Sequence, residues 1–454
     1  MLIRSVNPAT NEVVREFEEM QMSEIDEVLD HSLTAFYNWR NVSLDRRRDL
    51  ILCLAVLLEA QRDGLAFNIS IEMGKPIRES RAEIDKCSWL CRYYADHAEA
   101  FLRPEVVETA FSNSRVVFKP LGPVLAIMPW NFPFWQVLRF SVPALLAGNT
   151  VVLKHASNVS GCALAIEQLM REAGFPFKVF QTIILSGNRV SRVIGDRRIR
   201  AVTFTGSTPA GQDVGAVAGK SLKKSVLELG GSDPYIILAD ADVKKAAEAC
   251  VKARLANAGQ SCISAKRFIV EAPVFDEFQQ FMVQGFRNVK MGDPLNEDTD
   301  LGPIARVNLR LDLEAQVNNS IEKGAGLVLG GAAAGVSGNY FPPTILNDVN
   351  PGMPAWHDEL FGPVAALIKV ANADEAVCVA NNSNFGLGAA IFTSDLERGI
   401  FLAENELEVG TCFINDFVRS DPRLPFGGVK DSGYGRELGL YGLREFVNVK
   451  TVVC

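Results

Sequence analysis

Between residues 121 and 240 the chain repeats one pattern: a short apolar run, a turn, then a helix-length stretch. Val124–Met128, Thr150–Lys154, Thr182–Leu185, Ala201–Thr205 and Lys224–Leu227 read as strands. Pro133–Ala147, Ser160–Ala173 and Pro209–Lys220 read as the helices between them. Strands alternating with helices have one common solution, right-handed βαβ units that build a parallel, doubly wound sheet. After Asp240 the alternation starts again, with helices predicted over 242–258, 274–288, 306–323 and 373–382. Strands are predicted over 266–271 and near 327 and 367. The fold class is therefore α/β, with two doubly wound lobes joined near Leu229-Gly230-Gly231.

The flanks read differently. Ile25–Trp39, Asp45–Gln61 and Ile77–Ala100 carry apolar residues at helical spacing. From Arg115 the run SRVVFKPLGPVLAIMPW is β-branched and broken by Pro and Gly, as strands are. The tail FVNVKTVV is a strand with no local partner, expected to join a sheet elsewhere, across a subunit boundary.

Composition narrows the partners. Of 454 residues, 54 are acidic and 46 basic, a net charge of −8. There is no Lys/Arg block to displace counterions, so nucleic acid is excluded as the main partner. Arg46-Arg47-Arg48 follows Asp45 on an amphipathic stretch and reads as a solvated helix face. No run of about 18 apolar residues predicts a membrane span. The opening MLIRSVNPATNEVVREF lacks a basic-then-apolar signal pattern. Nine scattered cysteines suit reduced thiols in a cytoplasmic setting. Four histidines, none near another, argue against a metal site.

Familiar phosphate motifs fail. Gly386-Leu-Gly388 and Gly433-Tyr-Gly435 lack the third glycine of a dinucleotide fingerprint. Gly215–Ser221 resembles a phosphate loop, but has three residues between its glycines and closes a helix. Ala201–Gly211 does fit strand–turn–helix, placing Gly206-Ser207 where free N–H groups suit an anion, although taken alone a plain Ser N-cap is the better explanation. Lys154 ends a strand, where open α/β sheets bind ligands.

Three further segments carry reactive side chains. Pro129-Trp130-Asn131-Phe132-Pro133 aims a carboxamide between two prolines. Leu227-Glu228-Leu229-Gly230-Gly231 sets one carboxylate in an apolar strand end, where its pKa should rise. Gly259-Gln260-Ser261-Cys262 puts a thiol on a Gly-led turn. Taken singly, each has a packing or capping explanation. Together they describe a thiol nucleophile, a base for water and an oxyanion donor.

These segments, with Phe204–Ser207, Glu359–Pro363 and Pro425–Gly428, stand in the order found in the aldehyde dehydrogenase superfamily. The 34-residue interval from Glu228 to Cys262 also matches. Asn7-Pro8-Ala9-Thr10 and Gly435-Arg436-Glu437-Leu438-Gly439 extend the resemblance over nearly the whole chain. It implies Cys262 as nucleophile, Asn131 and the Cys262 N–H as oxyanion hole, and Glu228 as base for a hydrolytic water. It implies Lys154 at the adenosine ribose, Gly206, Ser207 and Trp130 at the pyrophosphate, Glu359 at the nicotinamide ribose and Phe361 beside it. It further implies a cofactor domain (1–103 and 121–230), a catalytic domain (231–430) and a bridging and oligomerisation element (104–120 and 431–454) in a homodimer or homotetramer.

NAD-preferring relatives often carry Glu where Ser157 stands. A carboxylate would repel the extra phosphate of NADP, whereas Ser157 beside Lys154 would bind it, so NADP is expected over NAD. Arg139 lies two helical turns beyond Asn131, where a buried guanidinium suits a substrate carboxylate or a protein one. With Ser420 it resembles the succinate-semialdehyde dehydrogenases of the superfamily, bacterial ones above all. A second arginine common in those enzymes is replaced by Ala256, with Arg254 nearby. The expected substrate is thus a small aldehyde with a distal carboxylate. The alternatives are another small aldehyde, or a cysteine hydrolase or acyltransferase built on Cys262.

Overall fold

The computed structural model describes residues 2–332 and 337–454. The first sheet runs, edge to edge, Gly433–Tyr434, Lys224–Glu228, Ala201–Thr205, Pro123–Met128, Thr150–His155, Phe180–Thr182. All pairings are parallel except that of Gly433–Tyr434. The chain leaves Pro123–Met128 in one direction and returns on its other side at Ala201–Thr205. A crevice at the carboxyl ends of these two strands follows from that reversal. It is flanked by Pro129–Asn131 and Gly206-Ser207.

Pro123–Met128 and Thr150–His155 are buried along their whole length, as parallel strands covered on both faces must be. Val124, Ala126 and Met128 pack with Val137 and Leu138 of the helix Trp135–Ala147. Leu125 and Ile127 face the other way, toward Ile25, Leu29 and Val214. Every residue of Trp135–Ala147 is buried. Its first turn is closed by Glu83 of the helix Ile77–Leu102, whose Oε1 accepts from the N–H groups of Phe134 (2.8 Å) and Trp135 (3.0 Å). A carboxylate at a helix N-terminus satisfies free donors and opposes the helix dipole.

The second sheet has the order Gly326–Leu329, Thr344–Asn347, Val364–Val370, Arg267–Glu271, Pro234–Ile237, Gly388–Phe392, Thr411–Ile414. Only its first strand is antiparallel. Four of these strands, at 234–237, 344–347, 388–392 and 411–414, were not expected from the sequence. They are short runs set among Pro and Gly. An N-terminal hairpin, Leu2–Val6 with Val13–Glu18, is also new; most of its second strand is exposed, so it lacks an apolar face to betray it.

The tail corrects an expectation. Val447–Val453 pairs in register with Ser114–Pro120 of the same chain, from Val447 opposite Pro120 to Val453 opposite Ser114. The strand it pairs with lies far away in the same chain. No helix among the described residues is long and apolar enough to cross a membrane.

Candidate active site

The helix expected over 242–258 stops at Leu255. Asn257, Ala258 and Gly259 follow with φ values of 53°, 53° and 72°, three successive left-handed residues that swing the chain toward Cys262. Such a conformation is costly for a residue with a Cβ and persists only where neighbours hold it. Here they do. The Asn257 N–H donates to Glu79 Oε2 at 2.8 Å, and its side chain donates to the carbonyls of Asn131 (2.9 Å) and Gln260 (3.2 Å). At 259 a Cβ would lie 2.3 Å from the Gly362 carbonyl oxygen, so only glycine fits.

Asn131 meets this turn directly. Its Nδ2 donates to the Gln260 carbonyl at 3.1 Å, which orients the amide and leaves its second N–H available. Its Oδ1 is buried without a partner. Asn131 therefore does not cap the following helix, a duty taken by Glu83. Beyond Cys262, the buried Lys266 ammonium donates to the carbonyls of Ser261 (3.0 Å), Cys262 (2.8 Å) and Ser264 (3.1 Å). A Cβ at 231 would press on the Cys262 carbonyl at 2.7 Å, so Gly231 lets the two segments touch.

Cys262 lies half-buried on the wall of a cavity of about 650 Å³, which also includes Lys86, Trp135, Arg139, Ser420 and Phe426. Burial pushes its thiol up to about 12, while the charges of Arg139 and Lys266 act in the opposite sense. The thiol is therefore neutral until a base takes its proton or the site changes.

Glu228 ends its strand with both carboxylate oxygens buried and unpartnered. Burial, and then the negative charge of Glu437, raise its pKa well above the usual carboxylate range. Glu437 is itself raised by burial and held by an ion pair with Arg139. Arg139 thus faces two ways, its charge felt at Glu228 and at Cys262. The choice that spacing left open for Arg139 is answered by a protein carboxylate, although its side chain also lines the cavity. Arg254 is turned elsewhere. Its Nη2 donates to the Gly259 carbonyl at 2.5 Å, and the residue is wholly buried.

On the crevice side, Lys154 is 8% exposed and makes no ion pair among the described residues. Burial lowers its pKa. Ser157 opens the short turn that follows. Ser207 precedes the helix Thr208–Lys220 without capping it by its side chain, leaving that helix's first N–H groups free. Trp130 stands edge-on to Phe361, ring centroids 5.8 Å apart. Glu359 accepts from the Gly231 N–H at 3.0 Å and lies 3.6 Å from Lys266.

The aldehyde dehydrogenase family model matches residues 1–452. The chain belongs to the aldehyde dehydrogenase family. It is 48% identical over 452 residues to a Synechocystis protein named "Probable succinate-semialdehyde dehydrogenase [NADP(+)]", covering 100% of this chain and 99% of that one. An Escherichia coli protein named succinate semialdehyde dehydrogenase [NAD(P)+] is 46% identical, covering 99% and 97%. The crystal structure of succinic semialdehyde dehydrogenase from Streptococcus pyogenes, in complex with NADP+, superposes with a TM-score of 0.97. It is 38% identical and covers 100% of this chain and 99% of that one.

Sequence reasoning missed Glu79, Asn257, Lys266 and Lys86, which help to build this aldehyde dehydrogenase site, and gave Gln260 and Glu437 a place in motifs but no role. Lys86 did carry a signal. It lies between Glu83 and Leu90, both buried, on the inward face of its helix, where a solvated lysine does not belong.

Proposed function

We propose that this enzyme oxidises succinate semialdehyde to succinate with NADP as the hydride acceptor. The observation that carries the reading is the junction of Asn131 with the Cys262 turn through the Gln260 carbonyl, beside a cavity lined by cations. The names of its relatives agree with it.

In this reading Glu228 takes the Cys262 thiol proton and passes it to solvent, and the resulting thiolate attacks the aldehyde carbon. The thiohemiacetal oxygen is met by the free N–H of the Asn131 amide and by the Cys262 backbone N–H, donors fixed before the charge develops. A nicotinamide held by Lys154, Ser207 and Glu359 would supply the hydride acceptor for this carbon, and once the hydride has left Cys262 carries a thioester. Glu228, made more basic by its dry surroundings, takes a proton from the water that hydrolyses the thioester, releasing succinate and the thiol. Ser420, with Arg139 behind it, belongs to the wall that meets the distal carboxylate.

The crevice residues fit a dinucleotide. Lys154 is a buried ammonium without an acidic partner, and Ser207 stands at a helix start with unsatisfied donors, both suited to phosphate or ribose oxygens. No carboxylate stands at 157 to repel a second phosphate near Lys154. Exposed Val106, Phe111, Val449 and Val453 on the three-stranded element are the surface proposed to pair subunits.

An aldehyde panel run with each nicotinamide, read by absorbance of the reduced cofactor, tests the reading. Succinate semialdehyde with NADP should give the highest kcat/KM. Turnover of an ester or thioester without any nicotinamide dependence of aldehyde oxidation would instead favour a cysteine hydrolase.

A further inference from the structure

Of the five cations on the cavity wall, Arg78, Lys252 and Arg419 are exposed, and the two that are not, Arg139 and Lys86, differ in one respect. Arg139 is 2% exposed and already paired with Glu437, also 2% exposed, so a substrate carboxylate approaching it would also meet the Glu437 charge. Lys86 has no such partner. Its Nζ donates to Ser420 Oγ at 2.8 Å and lies over the Trp135 ring, 4.2 Å from the centroid. Among the described residues it enters no ion pair.

The nearby acids are committed elsewhere. Glu83, one turn away on the same helix, pairs with Lys75 and closes the first turn of the helix Trp135–Ala147. Asp421, on the adjoining loop, pairs with Arg423 at 2.7 Å. Cys87 beside it is a buried neutral thiol whose pKa is raised well above its usual value. Arg139 faces Lys86 from its own helix and adds a second positive charge. A largely buried ammonium held by a hydroxyl and an aromatic face, beside another cation, lacks only an anion.

We infer that Lys86, with Ser420 as its hydrogen-bonded companion, captures the distal carboxylate of the substrate and sets the preference for carboxylated over uncharged aldehydes. The inference rests on the proposed succinate semialdehyde reading and assigns its specificity to a residue outside the segments that mark the family. Arg139 then acts from behind, through Glu437 and the thiol, while Lys86 makes the direct contact. It also accounts for the loss of a second arginine at Ala256, since the cation arrives from a different helix.

Burial and the charge of Arg139 bring the Lys86 pKa down to about 8. Below that pH the ammonium is available; above it the free enzyme loses the charge, and KM for a carboxylated aldehyde should climb.

The experiment compares kcat/KM for succinate semialdehyde and for butanal in wild type, Lys86→Met and Lys86→Arg. Removing a buried charge contact should lower the ratio in Lys86→Met by about 30-fold or more, with Lys86→Arg restoring most of it. Calorimetry should show succinate binding weakened in Lys86→Met in the same proportion. The rise of KM above pH about 8 should vanish in Lys86→Arg. A ratio unchanged in Lys86→Met, or an equal loss on both aldehydes with unaltered succinate binding, overturns the role of Lys86 while leaving the substrate reading intact. A wild-type enzyme with no preference for succinate semialdehyde over butanal overturns both.

Discussion

Two neighbourhoods on one cavity are built on different rules. Around Cys262 the groups that set the geometry are held by others, Asn131 by Gln260, Asn257 by Glu79, the Cys262 carbonyl by Lys266 and Arg139 by Glu437, while the Glu228 carboxylate is left without a partner. Around Ser420, Lys86 rests on a hydroxyl and a ring and is ion-paired with no carboxylate. A satisfied buried network fixes geometry, which a reaction needs where bonds change. An uncompensated charge offers binding energy, which recognition needs where they do not.

The sharpest way to break this contrast is to release a held group. In Arg139→Met the Glu437 carboxylate loses its partner beside Glu228, leaving two buried acids with only the charge of Arg436 felt at Glu228. Such a loss should cost about 3–5 kcal/mol in a denaturant titration at neutral pH. Both carboxyl groups already have folded-state pKa values raised above their ordinary ones. Raised carboxyl values mean the folded form is favoured at low pH and loses ground as pH rises. The deficit of Arg139→Met should therefore widen from acid to neutral pH. The double variant Arg139→Met/Glu437→Leu should recover much of it.

A smaller effect is expected at His155, which pins the loop carrying Asn131. Its Nε2 donates to the Pro133 carbonyl at 2.9 Å, while its Nδ1 lies 2.9 Å from the Ala156 N–H, from which it accepts when the ring is neutral, and 3.2 Å from the Met128 carbonyl. Burial lowers its pKa from 6.5 to about 4. With the folded value depressed, the unfolded chain binds the proton first. Stability is then complete above pH 6.5 and falls toward pH 4, by up to about 3 kcal/mol. Thermal unfolding across that range should show the fall in wild type and a flatter profile in His155→Gln.

The cofactor side gives the smallest expected change and sharpens the contrast, since Lys154, like Lys86, is a cation without an acidic partner. Ser157→Glu would supply one and should shift the NADP-to-NAD ratio of kcat/KM toward NAD by about tenfold or more. Retention of the NADP preference would show that the recognising group lies elsewhere.

How far the sequence could be read follows the same division. The parallel strands 124–128, 150–154 and 201–205 were legible because strands buried on both faces are nearly continuous apolar runs. The segments around Asn131, Glu228 and Cys262 were legible because prolines and glycines frame them. The partners were not. Arg139 and Glu437 stand far apart along the chain, and no local spacing tells a guanidinium which carboxylate it will meet. The left-handed turn at Asn257–Gly259 was masked by a helical pattern that runs through it. The tail's partner strand was visible, but only the fold shows that both strands belong to one chain.

The central claim is that Cys262 carries the acyl group that Glu228 helps to release. Mass spectrometry of Glu228→Gln, mixed with succinate semialdehyde and NADP+ and quenched in acid, tests it most directly. The account predicts a single succinyl adduct, mapped by proteolysis to Cys262, with reduced cofactor formed in one stoichiometric burst. An unmodified Cys262 alongside continued turnover, or an adduct on another residue, would contradict it.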